Sequence, residues 1–241
     1  MADWRICMIA LSPDKETLIF SVGKTGSTAL IDALNTWKTV GEDNLLYGEW
    51  MPDCHTDDLG RHFISQKETL EEIVNHYNPQ ITFIVREPYS RFISGMKEIA
   101  QDYISVLGNN NFNQLWFDVI DDKKMCTDLI SRIFYLGEFK TTPDYAKIYN
   151  YDWHRSFSVF HNYHTKNWLS NTVLQYPDAR IIDNKNLNGF MEELGVTPIS
   201  KNVSKLKEIE TIKHGVENCD VKHLIDKYLQ PEIAAYNKII R

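Results

Sequence analysis

The sequence has few cysteines and little positive charge, and each shortage excludes a class of protein. Its 4 cysteines lie far apart with no C-x-x-C pair, which excludes a zinc ribbon and a thioredoxin-type redox motif. The 26 basic side chains are outnumbered by 33 acidic ones, giving a net charge of −7. Proteins that bind nucleic acids or anionic membranes depend on excess basic charge, so neither partner is expected. An anionic ligand would have to be held by a local site.

The sequence also lacks a hydrophobic run long enough to cross a membrane. The run at residues 6–11 ends at Ser12-Pro13, which makes it too short for a signal-peptide core or a membrane span. No later run approaches the about eighteen apolar residues of a spanning helix. With 43% hydrophobic and 24% charged residues, the composition is that of an ordinary globular protein. We expect a soluble, cytoplasmic protein with a single domain over residues 1–241.

Short β-rich apolar runs alternate along the chain with segments of helical periodicity. The run at 81–85 is typical of a strand that is buried on both faces of a parallel sheet. The predicted strands cover 4–11, 17–22, 81–85 and 179–183, and the predicted helices cover 27–38, 67–77, 88–103, 112–120, 125–134 and 186–194, with two more after them. This order predicts an α/β fold with a central, mostly parallel β-sheet flanked by helices on both faces. Such sheets bind ligands at the carboxyl ends of their strands, here Gly23, Arg86 and Asp183.

A loop rich in glycine and hydroxyl groups joins the second predicted strand to the first predicted helix. Its sequence is Gly23-Lys24-Thr25-Gly26-Ser27-Thr28. Glycines allow close backbone approach, amides at a helix start point at an anion, and the lysine adds a full charge. Ordinary turns and helix caps use the same small residues, but the lysine favours anion binding. The nucleotide pattern G-x-x-x-x-G-K-[ST] is incomplete, because Leu18 stands where its first glycine belongs. The loop is therefore P-loop-like but short, and suits a single phosphate with its attached group.

A second polar segment follows the buried strand at 81–85. It runs from Arg86 to Ser94 with the sequence R-E-P-Y-S-R-F-I-S, and Pro88 stands where a helix prefers to begin. An arginine can bind a phosphate with two hydrogen bonds, and Ser94 falls near the second turn of the helix. Taken alone, a salt-bridged arginine and a helix-facing serine are an equally good interpretation. Together, the two segments predict two separate phosphate-binding groups.

These two motifs resemble those of the sulfotransferases that use 3′-phosphoadenosine 5′-phosphosulfate (PAPS). The first motif of that family is a strand, loop and helix with Lys, Gly, Ser and Thr, and residues 20–30 (F-S-V-G-K-T-G-S-T-A-L) are similar to it. The second is R-x-P-x-x-R-x-x-S, which this chain matches at Arg86, Pro88, Arg91 and Ser94. Later landmarks of the family have weaker counterparts at 179–196, 201–205 and 228–236. The stretch 105–171 has no counterpart, and we expect it to shape the acceptor pocket.

The resemblance implies transfer of the sulfuryl group of PAPS to an acceptor hydroxyl, of a carbohydrate or small molecule, without a metal. The product of the donor would be 3′,5′-adenosine diphosphate. Lys24 would stabilise the negative charge that grows on the leaving phosphate. The 5′-phosphate would be bound by the amides and hydroxyls of Thr25, Gly26, Ser27 and Thr28. Arg86 and Ser94 would bind the 3′-phosphate and fix the position of the donor.

His62 is the predicted general base. In several branches of the family a histidine lies a little over twenty residues before the arginine of the second motif, and His62 precedes Arg86 by 86 − 62 = 24 residues. Histidine suits the role because its pKa lies near neutral pH. Other branches use a glutamate after the first helix, so Glu49 stays open, and His55 and Asp57 are also in reach. Alternatively, His62 is a surface histidine in a polar loop and has no catalytic role.

Three further histidines lie in an aromatic segment, and a metal site is not expected there. His161 and His164 share a spacing that metal sites use, and His154 precedes them. No acidic or cysteine ligand stands at a matching spacing. Segments so rich in aromatic residues are more often core, or the wall of a pocket.

Two other functions stay open. A P-loop kinase or nucleotidase is suggested by Gly23-Lys24-Thr25, and Asp183 would then follow its strand as a magnesium ligand, although Leu18 counts against it. The other alternative is a catalytically inactive nucleotide-binding module. Binding of ATP with magnesium, but not of 3′,5′-adenosine diphosphate, would favour the kinase. Donor binding without sulfate transfer would favour the inactive module.

Overall fold

The structure is a computed structural model that describes residues 7–12, 14–22, 25–26, 29–30, 33–34, 74–108, 111–138, 168–198 and 205–241. Among them, four strands form one sheet in the order β1-β2-β3-β4. Their bounds are β1 Cys7–Leu11, β2 Thr17–Val22, β3 Gln80–Val85 and β4 Arg180–Asp183. β1 is antiparallel to β2, whereas β2, β3 and β4 run parallel. The predicted α/β class and the mostly parallel sheet are confirmed.

The helices whose full bounds lie within the described residues follow the predicted order, with one short helix, Trp168–Asn171, that was not predicted; the predicted helices 27–38 and 67–77 lie largely outside the described residues. The described helices are α1 Pro88–Gly108, α2 Phe112–Asp121, α3 Lys123–Glu138, α4 Trp168–Asn171, α5 Leu187–Glu193, α6 Leu206–Asn218 and α7 Lys222–Ile239. α1 begins at Pro88 as predicted but continues past Tyr103 to Gly108, and no glycine or proline lies between these two residues. None of the described helices is both long and apolar enough to span a membrane.

The chain divides into two compact units. Unit 1 comprises Met1–Glu87, Trp168–Val203 and Ala235–Arg241, and unit 2 comprises Pro88–Asn167 and Ser204–Ala234. Unit 1 holds the whole sheet, and unit 2 is helical in its described part. The single domain expected over residues 1–241 stays a prediction.

Apolar side chains cover both faces of the sheet in unit 1, since successive residues of a strand point to opposite faces. On one face the strands contribute Leu18, Phe20, Ile81, Phe83 and Val85, which pack with Leu169, Val173, Ala235 and Tyr236. On the other face the strands contribute Ala10, Ile19, Ile84 and Ile182, which pack with Leu30, Ala33, Leu34, Leu187, Phe190 and Met191. Residues from α4 and α7 lie on the first face and residues from α5 on the second, which confirms the predicted helices on both faces.

Unit 2 is built around one helical core. α1, α2, α3, α6 and α7 all contribute buried residues to it, among them Phe92, Tyr103, Trp116, Phe134, Ile212 and Leu229. α3 and α6 approach each other closely at Gly215, where a Cβ atom would lie 3.0 Å from the Sγ atom of Cys126. The amphipathic patterns of the sequence therefore correspond to helices that bury their apolar sides together.

Candidate functional site

The strand register brings the described parts of the two motifs to one edge of the sheet. In the parallel pairing of β2 with β3, Ser21 is opposite Ile84, and in that of β3 with β4, Val85 is opposite Asp183. Adjacent strands lie about 4.8 Å apart. The carboxyl ends of β2, β3 and β4 therefore form a common edge, which we call the carboxyl edge. Thr25 and Gly26 follow β2 at this edge, and Arg86 follows β3.

Thr25 braces the loop that follows β2. Its side chain is fully buried, and its Oγ1 atom lies 2.7 Å from the Oγ atom of Ser21. Its carbonyl oxygen accepts a hydrogen bond of 2.7 Å from Nδ2 of Asn184, just beyond β4. The hydroxyl of Thr25 thus lies within hydrogen-bond distance of Ser21, and the binding of a 5′-phosphate by the amide and hydroxyl of Thr25 stays a prediction.

Gly26 occupies a position that no other residue fits without strain. Its φ angle is +101°, in the region that side chains rarely adopt. A Cβ atom there would lie 2.5 Å from Cδ2 of Leu187 and 2.8 Å from Nδ2 of Asn184. Its carbonyl oxygen accepts a hydrogen bond of 3.1 Å from the Leu30 amide, which starts the following helical turn. The second glycine of the loop is therefore required by the backbone, and its role in binding stays a prediction.

Arg86 is a partly buried cation directly after β3. Burial lowers the pKa of its guanidinium, while the negative charges of Glu87 and Asp183 raise it. Arginine keeps its charge in proteins, so the cost of partial burial must be offset by such neighbours. The structure thus places a charged, hydrogen-bond-donating group at the carboxyl edge. Such a group is suited to bind an anion.

Asp183 ends β4 and is held by two donors. Its Oδ1 atom accepts a hydrogen bond of 2.9 Å from the Lys185 amide, and its Oδ2 atom accepts one from the hydroxyl of Tyr236. The first of these bonds starts the 3₁₀ turn Asn184–Asn186, which is why α5 begins one residue later than predicted. Burial raises the pKa of Tyr236, and Asp183 and Glu87 raise it further, so its phenol is a neutral donor near neutral pH.

Three residues of the second motif, Pro88, Arg91 and Ser94, belong to unit 2. Ser94 lies on the second turn of α1, as predicted, and is partly buried. Its role in phosphate binding stays a prediction. Arg91 is buried, and its Nη1 atom lies 3.9 Å from Oε2 of Glu232 on α7, in a pair whose side chains are 3% and 0% exposed. Arg91 is therefore part of the packing of unit 2.

The remaining predicted site residues lie outside the described residues. They are Lys24, Ser27 and Thr28 of the loop, the predicted base His62, and the rival candidates Glu49, His55 and Asp57. The histidines of the aromatic segment, His154, His161 and His164, lie outside them as well. Within the described ranges, no three His, Cys, Asp or Glu side chains come together in a way that could hold a metal ion.

Two hydrogen bonds at the carboxyl edge were not predicted from the sequence. The bond from Asn184 to Thr25 joins residues that lie 159 positions apart, and the bond from Tyr236 to Asp183 joins residues 53 apart. Local patterns carry no information on such pairs. The one available signal was the position of Asn184 and Asp183 directly at the end of a buried strand, where polar residues gather in α/β folds.

Comparison of the chain with family models, with curated proteins and with solved structures finds no match. The motifs of the sequence and the geometry of the carboxyl edge are therefore the observations that bear on function.

Proposed function

We propose that this protein is a PAPS-dependent sulfotransferase that moves the sulfuryl group to an acceptor hydroxyl of a carbohydrate or small molecule. The observation that carries the proposal is the parallel pairing of β2 with β3, in which Ser21 is opposite Ile84. The loop of the first motif and the arginine of the second motif therefore start from neighbouring strand ends. A donor with phosphate groups on both its 3′ and 5′ oxygens needs two phosphate-binding segments of the protein close together.

The described residues support distinct roles in this proposal. Arg86 offers a planar, charged group that forms paired hydrogen bonds with a phosphate, as the 3′-phosphate requires. Gly26 lets the loop turn at a φ angle of +101° and pack against Leu187 and Asn184, which sets the path of the loop. The bonds of Thr25 to Ser21 and Asn184 hold this loop in place before a donor binds. Ser94 is proposed as a second ligand of the 3′-phosphate from the motif alone.

The chemical step is proposed from the resemblance to the family. The acceptor oxygen would form a bond to sulfur while the bond from sulfur to the bridging phosphate oxygen breaks. Lys24 would stabilise the charge on the departing phosphate, and His62 would take the proton of the acceptor. Ser27 and Thr28 would bind the 5′-phosphate with Thr25 and Gly26.

Calorimetry with 3′,5′-adenosine diphosphate tests the donor site. The wild-type protein should bind this product with micromolar affinity. Replacement of Arg86 by alanine should weaken binding by about a hundredfold, since two hydrogen bonds to a charged group are lost. Arg180→Ala is the matched control, because Arg180 lies at the opposite, amino end of β4 with its Nη2 atom 2.5 Å from Oε2 of Glu193. This control should bind like the wild-type protein.

Transfer of labelled sulfate from PAPS to a broad panel of hydroxyl acceptors tests the chemistry. Lys24→Ala should abolish transfer, and His62→Ala should lower it. Binding of ATP with magnesium, and none of 3′,5′-adenosine diphosphate, would replace the proposal with the P-loop kinase. Binding of the bisphosphate without transfer to any acceptor, unchanged in His62→Ala, would support the inactive module.

A further inference from the structure

A fixed carboxylate ends the strand that neighbours the one leading into Arg86. Asp183 is the last residue of β4 and is paired with Val85, the residue before Arg86. Arg86 therefore follows β3 one residue beyond the position that pairs with Asp183, the only acidic residue of β4. The negative charge of Asp183 acts on the guanidinium of Arg86.

The carboxylate of Asp183 has little freedom of its own. One oxygen accepts the Lys185 amide at 2.9 Å, and the other accepts the hydroxyl of Tyr236. The ring of Tyr236 is buried among the apolar residues on one face of the sheet. The core of unit 1 therefore fixes the phenol, and the phenol fixes the carboxylate, whose charge acts on Arg86 from the end of the adjacent strand.

We propose that Asp183, held by the hydroxyl of Tyr236, is a positioning residue that orients Arg86 for the 3′-phosphate of the donor. Arginine has a long side chain, and ordering it costs about 2 kcal/mol of rotamer entropy. A fixed carboxylate lowers that cost before the donor binds. This inference rests on the proposed function.

A pair of ligands isolates the effect on the 3′-phosphate. 3′,5′-Adenosine diphosphate and 5′-adenosine monophosphate differ only in that group, so the ratio of their dissociation constants measures how tightly it is held. The variant Asp183→Asn removes the charge but keeps an amide that can bond to Lys185 and Tyr236. Its dissociation constant for the bisphosphate should rise about tenfold, as for the loss of one hydrogen bond to a charged group. Its dissociation constant for the monophosphate should stay at the wild-type value.

Tyr236→Phe tests the hydrogen bond from the hydroxyl of Tyr236 to Asp183 and carries less risk to folding. It keeps the buried ring and removes only the hydroxyl, so the protein keeps its core. The ratio of the dissociation constant for the monophosphate to that for the bisphosphate should fall about threefold in this variant, less than the about tenfold fall expected in Asp183→Asn. In the double variant this ratio should be no lower than in Asp183→Asn, because both residues act through the same carboxylate. Tyr176→Phe is the control, since Tyr176 packs against the same apolar cluster.

Three outcomes would overturn the inference. An unchanged ratio in both variants would show that Arg86 needs no positioning. Tighter binding of the bisphosphate in Asp183→Asn would show that the carboxylate only competes with the phosphate for Arg86. Equal binding of both ligands by the wild-type protein would remove the proposed function itself, and with it the inference. The wild-type measurement therefore separates the two failures.

Discussion

The two units of the molecule use their buried polar groups in different ways. In unit 1, Thr25, Arg86 and Asp183 gather where the strands end and the backbone stops pairing. In unit 2, the buried charges of Arg91 and Glu232 lie on α1 and α7, two helices that share an apolar core. The carboxyl ends of parallel strands are where α/β folds bind ligands, whereas charges within a helical core act on stability. Substitutions of Arg86 and Asp183 should therefore change binding, and those of Arg91 and Glu232 should change the free energy of unfolding.

The largest expected effect lies in the buried pair of unit 2. Replacement of Glu232 by glutamine leaves the charge of Arg91 buried beside a neutral side chain. The free energy of unfolding should fall by about 3–5 kcal/mol, the range for breaking a buried ion pair. Urea unfolding followed by circular dichroism measures it. Arg91 also matches the second motif. Because Glu232→Gln leaves Arg91 itself unchanged, unfolding of this variant reports the contribution of the pair to packing and not to donor binding.

Two further variants control this measurement. Lys124→Ala breaks the exposed pair with Asp128 on α3, whose side chains are 87% and 67% exposed, and should change stability by less than about 0.5 kcal/mol. The double variant Arg91→Met, Glu232→Leu replaces both buried charges with apolar groups and should recover most of the loss. A loss below about 1 kcal/mol in Glu232→Gln would contradict a structural role for the pair.

The next largest effect compares two glycines of unit 1. Gly26→Ala adds a Cβ atom 2.5 Å from Cδ2 of Leu187 at a φ angle of +101°, so it should destabilise the protein by about 1–3 kcal/mol. Gly189→Ala adds a Cβ atom that meets nothing within 4 Å, in the middle of α5. It should stabilise the protein by up to about 1 kcal/mol through helix propensity.

The same two variants test the carboxyl edge as a binding site. Gly26→Ala should also weaken binding of 3′,5′-adenosine diphosphate, because it moves the loop after β2, and Gly189→Ala should bind it like the wild-type protein. Thermal unfolding and calorimetry on the same samples measure both effects. If Gly26→Ala were destabilised but bound the bisphosphate normally, the loop would be structural only.

The fold was predictable where local patterns decide it. The β-branched and aromatic runs at 17–22 and 81–85 gave two strands at or within one residue of the observed bounds, and Pro88 marked the start of α1. The position of Arg86 at a strand end followed directly from these boundaries. Tertiary contacts decide the rest: no local pattern pairs Asn184 with Thr25 or Tyr236 with Asp183. The predicted base rests on the resemblance alone and the lysine of the loop on the sequence pattern and the resemblance, because both lie outside the described residues.

The smallest expected effect is a pH dependence that arises in the core of unit 2. Burial raises the pKa of the Cys126 thiol from 9.0 to about 12. An unfolded chain loses this proton above its ordinary pKa while the folded protein keeps it, so the stabilising effect is complete below pH 9 and is lost between pH 9 and about 12. At pH 10 the loss should be about 1 kcal/mol, since each pKa unit corresponds to about 1.4 kcal/mol. Urea unfolding at pH 8 and pH 10 measures it.

Cys126→Ala removes the titrating group and is the direct test of this origin. The variant starts from a lower stability because it leaves a small cavity, but its stability should fall less than that of the wild-type protein between pH 8 and pH 10. In unit 1, Tyr236→Phe is the counterpart, since burial and Asp183 raise the pKa of that phenol. Its ordinary pKa is 10.0, so its contribution begins one unit above that of the thiol and adds little at pH 10. Equal slopes for Cys126→Ala and the wild-type protein would place the pH dependence outside the helical core.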